Sequence, residues 1–171
     1  IGNHGAPSAA AADGNVVYLA SGVPENVPFL LKQTLDGQKR FWTANNFEAW
    51  QGALALAVTD EHLLVLQING RIVKVDPESG RKLEIWDTAP EPEEGEDARW
   101  VGRGMDLDAA GATVVASYPK ANAVRWLGAT TGETTAEARV EAPKSVAVGP
   151  DGRVYVIAAG RVLAITHEGG E

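Results

Sequence analysis

The segment "PKSVAVGPDGRVYVIAAGRVLAIT", Pro143 to Thr166, constrains the fold of this chain more than any other feature. It holds short runs of alternating apolar residues separated by tight glycine turns, at Asp151-Gly152 and at Gly160. Side chains that alternate at period two belong to strands with two distinct faces. Turns this short join neighbouring strands antiparallel. The segment therefore encodes a small antiparallel sheet, and such a sheet cannot bury both of its faces alone.

Related runs recur along the chain. Val16-Val17-Tyr18-Leu19, Leu63-Leu64-Val65-Leu66, Val114-Val115-Ala116 and Val154-Tyr155-Val156-Ile157 read as equivalent strands, and Asn15, His62, Ala112 and Arg153 mark matching points at intervals of 47, 50 and 41 residues. Between them lie turn signals at Asp13-Gly14, Asp36-Gly37, Asn69-Gly70, Ser79-Gly80 and Thr131-Gly132. No stretch offers a long 3.6-residue pattern between helix caps; "NNFEAWQGALALAV" is broken by Gly52 and runs into strand-like residues. About four strands in a repeat of roughly 40–50 residues is the signature of a propeller blade. The expected fold is all-β: a β-propeller of about four blades of four antiparallel strands, approximately 1–45, 50–88, 100–141 and 143–171, forming one domain. The clearest unit reads "ALALAV", "HLLVLQ", "RIVKVD" and "KLEIW". The last reads "SVAVG", "RVYVIA" and "RVLAIT" with no fourth strand behind it, so this blade is expected to be incomplete. Unpaired strand edges and open apolar faces are a liability in water. The end blades are therefore expected either to continue into the missing remainder of a larger propeller or to meet in a dimer.

Composition removes several function classes. The 171 residues carry a net charge of -8 with no block of Lys or Arg, so the footprint of a nucleic-acid binder is missing. No apolar run approaches the roughly 20 residues of a membrane helix. There is no cysteine, which excludes disulfides, thiolate metal sites and cysteine nucleophiles. His4, His62 and His167 stand far apart, outside any metal-ligand spacing. Ser21, Ser117 and Ser145 lack a nucleophile-elbow context. The acidic run "EPEEGED" supplies carboxylates of the kind calcium takes, but not the alternating Asp/Asn ligands around a glycine turn; it reads as a solvated, mobile crossover. No cofactor is expected, and calcium is the one divalent metal the acidic run keeps in view.

"PKSVAVGPDGRVYVIAAGRVLAIT" resembles an NHL-type or gluconolactonase-like repeat, and "MDLDAAGATVVASYPKANAVRWL" resembles the same repeat with Asn122 opening its third strand. "GRIVKVDPESGRKLEIW" and "LLKQTLDGQKRFW" are more similar to the quinoprotein, PQQ-type repeat, in which a glycine turn is followed by Trp. Trp86 and Trp42 stand six and five residues after Gly80 and Gly37, where that motif places four, and the third unit has Ala136 instead of Trp. The resemblance implies a propeller, and a bacterial secreted or periplasmic setting is favoured. Its lactonase-like branch implies a ring of Glu, Asn and Asp around a divalent metal in the channel. Asn45, Asn46, Asp106 and Asn122 are available in kind but match no motif of that ring, and Asp108 and Asp106 in "GMDLDAAG" read as a strand end and a turn.

Loop lengths select a face. Turns joining first to second and third to fourth strands lie on one face of a propeller and are minimal here. The opposite face carries "SGVPENVP", "SYPKAN", "TANNFEAWQG" and "DTAPEPEEGEDARWVGR". Long loops on a rigid scaffold are where binding groups gather. That face would present Asn45, Asn46, Trp50, Trp100, Arg103, Tyr118 and Lys120 as ligand-binding candidates, with no catalytic set among them. Aromatics beside Asn and Arg suit a protein, a carbohydrate or a small polar ligand. The competing role for Trp50 and Trp100 is to seal blade ends as core residues. The expected function is a binding or interaction module; the alternative is a fragment of a metal-dependent lactonase-like or lyase-like propeller enzyme.

Overall fold

The computed structural model describes residues 8–21, 30–44 and 52–166. They form four antiparallel sheets, one after another along the chain, arranged as the blades of a β-propeller. Blade 1 is β1 (Ala9–Asp13), β2 (Val16–Ala20), β3 (Leu30–Thr34) and β4 (Arg40–Ala44). Blade 2 is β5 (Ala53–Val58), β6 (Leu63–Gln67), β7 (Ile72–Val75) and β8 (Lys82–Trp86). Blade 3 is β9 (Asp106–Ala110), β10 (Thr113–Tyr118), β11 (Ala123–Gly128) and β12 (Thr134–Arg139). Blade 4 has β13 (Pro143–Val148), β14 (Val154–Ala158) and β15 (Arg161–Ile165), and no fourth strand among the described residues. Within each sheet every strand pairs with its neighbour in sequence. A three-residue 3-10 helix, Ala98–Trp100, interrupts the crossover from blade 2 to blade 3. Among the described residues no helix is long and apolar enough to cross a membrane.

Burial along the strands follows from position in the stack. β6, "LLVLQ", is buried at every residue because blade 2 is covered on both sides. β14, "VYVIA", alternates buried and exposed because blade 4 is covered on one side. Three apolar cores join the four blades. Tyr18, Ala20 and Leu30 of blade 1 meet Leu63, Val65 and Val73 of blade 2. Leu64, Leu66 and Ile72 of blade 2 meet Leu107, Val114 and Tyr118 of blade 3. Val115, Val124 and Trp126 of blade 3 meet Val146, Val154 and Val156 of blade 4. Each fully buried aliphatic side chain is worth about 1.5–3 kcal/mol, so these cores hold the stack together.

The blade junctions repeat a second device. The turn between the third and fourth strands of a blade carries a glycine at φ +72°, Gly80 in blade 2 and Gly132 in blade 3. Trp42 of blade 1 lies on Gly80 and Trp86 of blade 2 lies on Gly132; a Cβ at these positions would stand 2.6 and 2.2 Å from the indole. Only glycine satisfies both the left-handed backbone and the close approach. The Trp42 Nε1–H also donates to the Pro77 carbonyl of that next-blade turn at 3.1 Å. Strand pairing places Trp42 opposite Lys32 but Trp86 opposite Ile72, so the two indoles reach equivalent glycines of successive blades from positions two residues apart on their strands. The irregular Trp spacing in the sequence reflects this. Lys32 and Lys74 occupy the same repeat position, just before the bulge in the third strand. Each reaches the next blade's turn: Lys32 Nζ to Glu78 at 2.8 Å, and Lys74 Nζ to the Thr130 carbonyl at 3.0 Å. In blade 3 that position is Trp126, which packs into the core with blade 4.

Candidate functional site

The crossover between β8 and β9, residues 87–105, is the longest described connection on the long-loop face. It is clamped to the scaffold at several points. The Thr88 hydroxyl donates to the Gly70 carbonyl at 2.9 Å, and the Gly102 N–H donates to the Ile68 carbonyl at 2.9 Å. Gly102 lies so close to the β6–β7 turn that a Cβ there would be 2.3 Å from the Gly70 nitrogen. The Asp97 carboxylate accepts from the Arg99 N–H at 3.0 Å and caps the 3-10 helix. Glu96 pairs with Lys120 of the β10–β11 loop. That hydrogen bond, followed by one from the backbone, holds the Glu96 carboxyl below its ordinary range. Glu91, Glu93 and Glu94 are exposed, as expected of a solvated segment, while Thr88, Gly102 and Glu96 tie the crossover to the scaffold.

Docking this segment against the β6–β7 turn leaves a cleft of about 400 Å³. Ala89, Pro90, Pro92, Ala98 and Val101 supply its apolar surface, and Asn69, Arg71, Asp87, Glu91 and Arg99 its polar groups. Arg71 Nε donates to Asp87 Oδ1 at 3.2 Å along one side. Apolar walls with a few placed polar groups of both signs are the composition of a recognition cleft.

The structure distributes the seven candidates unevenly. Asn45, Asn46 and Trp50 lie outside the described residues. Trp100 and Arg103 form one unit beside the cleft, the guanidinium 4.3 Å from the indole centroid. Trp100 is half-buried and Arg103 is exposed. Lys120 is tied to Glu96. Tyr118 is 2% exposed: it sits in the core between blades 2 and 3 with the Arg125 guanidinium 4.4 Å from its ring. Burial pushes its phenol above the ordinary range, against the opposing effects of Thr88 and Arg125. The cleft-lining Asn69, Arg71, Asp87, Pro90 and Arg99 were not among the candidates. Their signal in the sequence is the pair Gly70 and Gly102, which permits close backbone approach but names no partner.

Asp106 and Asp108 play a different part from the expected one. Asp106 opens β9 and Asp108 stands inside it, so the pair includes a strand end but neither residue marks a turn. The inner strands border a central cavity of about 340 Å³, with both carboxylates in its wall. Their oxygens bind blade 4: Asp106 Oδ2 accepts from Ser145 Oγ at 2.6 Å and from Val146 N–H at 3.0 Å, and Asp108 Oδ2 accepts from Val148 N–H at 2.8 Å. Asn122, at φ 50°, likewise accepts through Oδ1 from the Ala142 N–H at 2.9 Å and so ties the β10–β11 loop to the connection into blade 4. Among the described residues no group of three or more His, Asp or Glu side chains is placed to share a metal ion.

No protein-family model matches the chain, and no curated protein matches it in sequence. Solved structures match it in fold. BamB from Moraxella catarrhalis superposes with a TM-score of 0.66 at 14% identity, over 95% of this chain and 44% of that one. The WD40 repeats of RRP9 superpose with a TM-score of 0.63 at 10% identity, over 96% of this chain and 52% of that one. The computationally designed Ika4 protein superposes with a TM-score of 0.65 at 14% identity, over 96% of this chain and 93% of that one. The chain thus spans about half the length of the two natural proteins. At these identities the likeness establishes the β-propeller fold, with BamB-type and WD40 propellers as its structural neighbours, and nothing finer.

Proposed function

We propose that the protein is an interaction module that takes an extended segment of a partner protein on its long-loop face, in the cleft beneath the 87–105 crossover. The observation that carries this reading is the clamping of that crossover onto the blade 2 turn, through Thr88, Gly102 and Glu96, around an apolar cleft. A cleft held open by the scaffold keeps down the protein's own ordering cost when it is filled, leaving chiefly that of the partner segment. Ala89, Pro90 and Pro92 offer apolar wall to a partner's side chains, Arg71, Asp87 and Arg99 offer hydrogen bonds to its backbone and polar groups, and the Trp100–Arg103 stack extends the surface with the residue types that dominate binding energy at interfaces. Carbohydrate would need an open aromatic platform, and the described aromatic nearest the cleft has its face taken by Arg103.

The test is selection of peptides from a random displayed library against the immobilised protein. Selected peptides should lose at least tenfold in affinity, about 1.4 kcal/mol, when Trp100 and Arg103 are both replaced by alanine. They should lose as much with Arg99→Ala and Arg71→Ala together. Asp151→Ala, in a turn on the opposite face, should leave binding unchanged. Peptides indifferent to both cleft variants, with the fold retained, would refute the assignment. The same reading has no resident metal. Millimolar calcium should leave the melting temperature where it is, whereas a rise that follows mass action would reveal a site and favour the metal-dependent alternative.

A further inference from the structure

Every internal junction of this molecule is made the same way: the forward face of one blade packs on the back face of the next. Four blades have only three such junctions among the described residues. The inner strands β1 and β5, β5 and β9, and β9 and β13 pack in turn, and β13 and β1 show no comparable packing. The arc is therefore left with one unused face of each kind. Blade 4 leaves its forward face open, with Tyr155, Ile157 and Val162 at 37%, 46% and 68% exposure. Ile157 pairs with Val162, and Tyr155 pairs with Ala147 and Ala164, so these side chains share one side of the sheet. Their counterparts in blades 2 and 3, Leu64, Leu66 and Val115, are fully buried because a neighbour covers them. On blade 1 the side turned away from blade 2 carries Ala10 and Ala12, both exposed, Val17 and Leu19, half-buried, and Leu31, buried at the middle of the sheet; strand pairing also places them together.

We propose that these two faces bind each other between two copies of this chain, closing four blades and four blades head to tail into one ring. The faces are the two unlike halves of the junction already used three times within the chain. A second copy presents both of them, so one contact of this kind generates its mate by a two-fold rotation and the assembly closes. The superpositions agree in scale. The chain covers 93% of a designed protein of its own length and about half of two longer natural propellers, the size relation that two copies in one ring would have.

Sedimentation of the protein from low to high micromolar concentration should give the mass of two chains. Ile157→Lys with Val162→Glu, both on exposed side chains, should give the mass of one chain with an unchanged far-UV spectrum. Leu83→Glu, an exposed apolar residue on β8 away from both end faces, should leave the mass of two. Because the chain has no cysteine, Ala12→Cys and Ile157→Cys can be made as single variants. Mixed under oxidation they should crosslink to each other, and neither should crosslink to itself. A single-chain mass at every concentration, any other stoichiometry, a dimer that survives the double substitution, or self-crosslinking of Ile157→Cys overturns the proposal.

Discussion

At two of the three blade junctions a tryptophan packs on a glycine that has no side chain in its way. Trp86 is 3% exposed, and its indole rests where any Cβ on Gly132 would have to go. Gly132→Ala therefore combines the left-handed backbone cost, about 1–2 kcal/mol, with displacement of a packed ring, and should destabilise by at least about 2 kcal/mol. Trp86→Ala should cost about 3–5 kcal/mol, as expected for emptying a buried aromatic site. Denaturant titration with unchanged m-values checks both, and the double variant should cost less than the sum because the two residues share one contact. Tyr118 gives a pH signature. Its phenol holds its proton above the ordinary value, chiefly through burial, so the native state binds that proton more tightly than the unfolded chain does. The stability this contributes is complete below the unfolded value near pH 10 and is lost as pH rises through the native one. Tyr118→Phe should flatten the fall in stability above pH 10 relative to the parent. An identical alkaline slope in the two proteins would mean that Tyr118 is not the titrating group.

At the level of the element, the strands were legible and their cross-links were not. "LLVLQ" and "RVYVIA" alternate or run apolar between glycine turns, and these local signals survive into β6 and β14 almost residue for residue. The clamp on the 87–105 crossover has no such signal, since Glu96 and Lys120 stand 24 residues apart and nothing local links them. Tyr118 reads as a loop aromatic because it adjoins "PKAN", yet it is the last residue of β10, with its ring in the core. Asp106 and Asp108 mislead in the same way. A carboxylate in an inner strand reads as a ligand or a turn, while its partners are backbone N–H groups about 40 residues downstream. That attachment can be tested. Asp106→Ala leaves the buried end of blade 4 without its acceptor and should cost about 1–3 kcal/mol, whereas Ser145→Ala keeps the Val146 N–H paired and should cost less. Equal losses would show that the hydroxyl, not the backbone tie, is what blade 4 depends on.

For the whole molecule, sign and order of charge argue against one partner class: with a net charge of -8 and no basic stripe, retention on DNA or RNA at physiological salt is not expected, and a salt-dependent micromolar affinity would contradict this. The stack itself makes a further prediction. In a repeat architecture stability is close to a sum of unit and nearest-neighbour terms. Blades 2 and 3 are covered on two sides and blades 1 and 4 on one, so the end blades should open first. Blade 4 should be the weakest, because it has three strands and its forward apolar face is exposed. Amide exchange should therefore rank β6 and β10 as most protected and β15 as least, with β14 between them. Local opening that exposes few apolar contacts costs much less than global unfolding, so the gap should span orders of magnitude in exchange rate. Concentration then separates two origins of protection. If a second copy covers blade 4, protection of β14 and β15 rises with protein concentration while that of β6 stays at the global limit. If protection across all four blades is uniform and independent of concentration, the arc is one cooperative unit and the open face imposes no weakness on it.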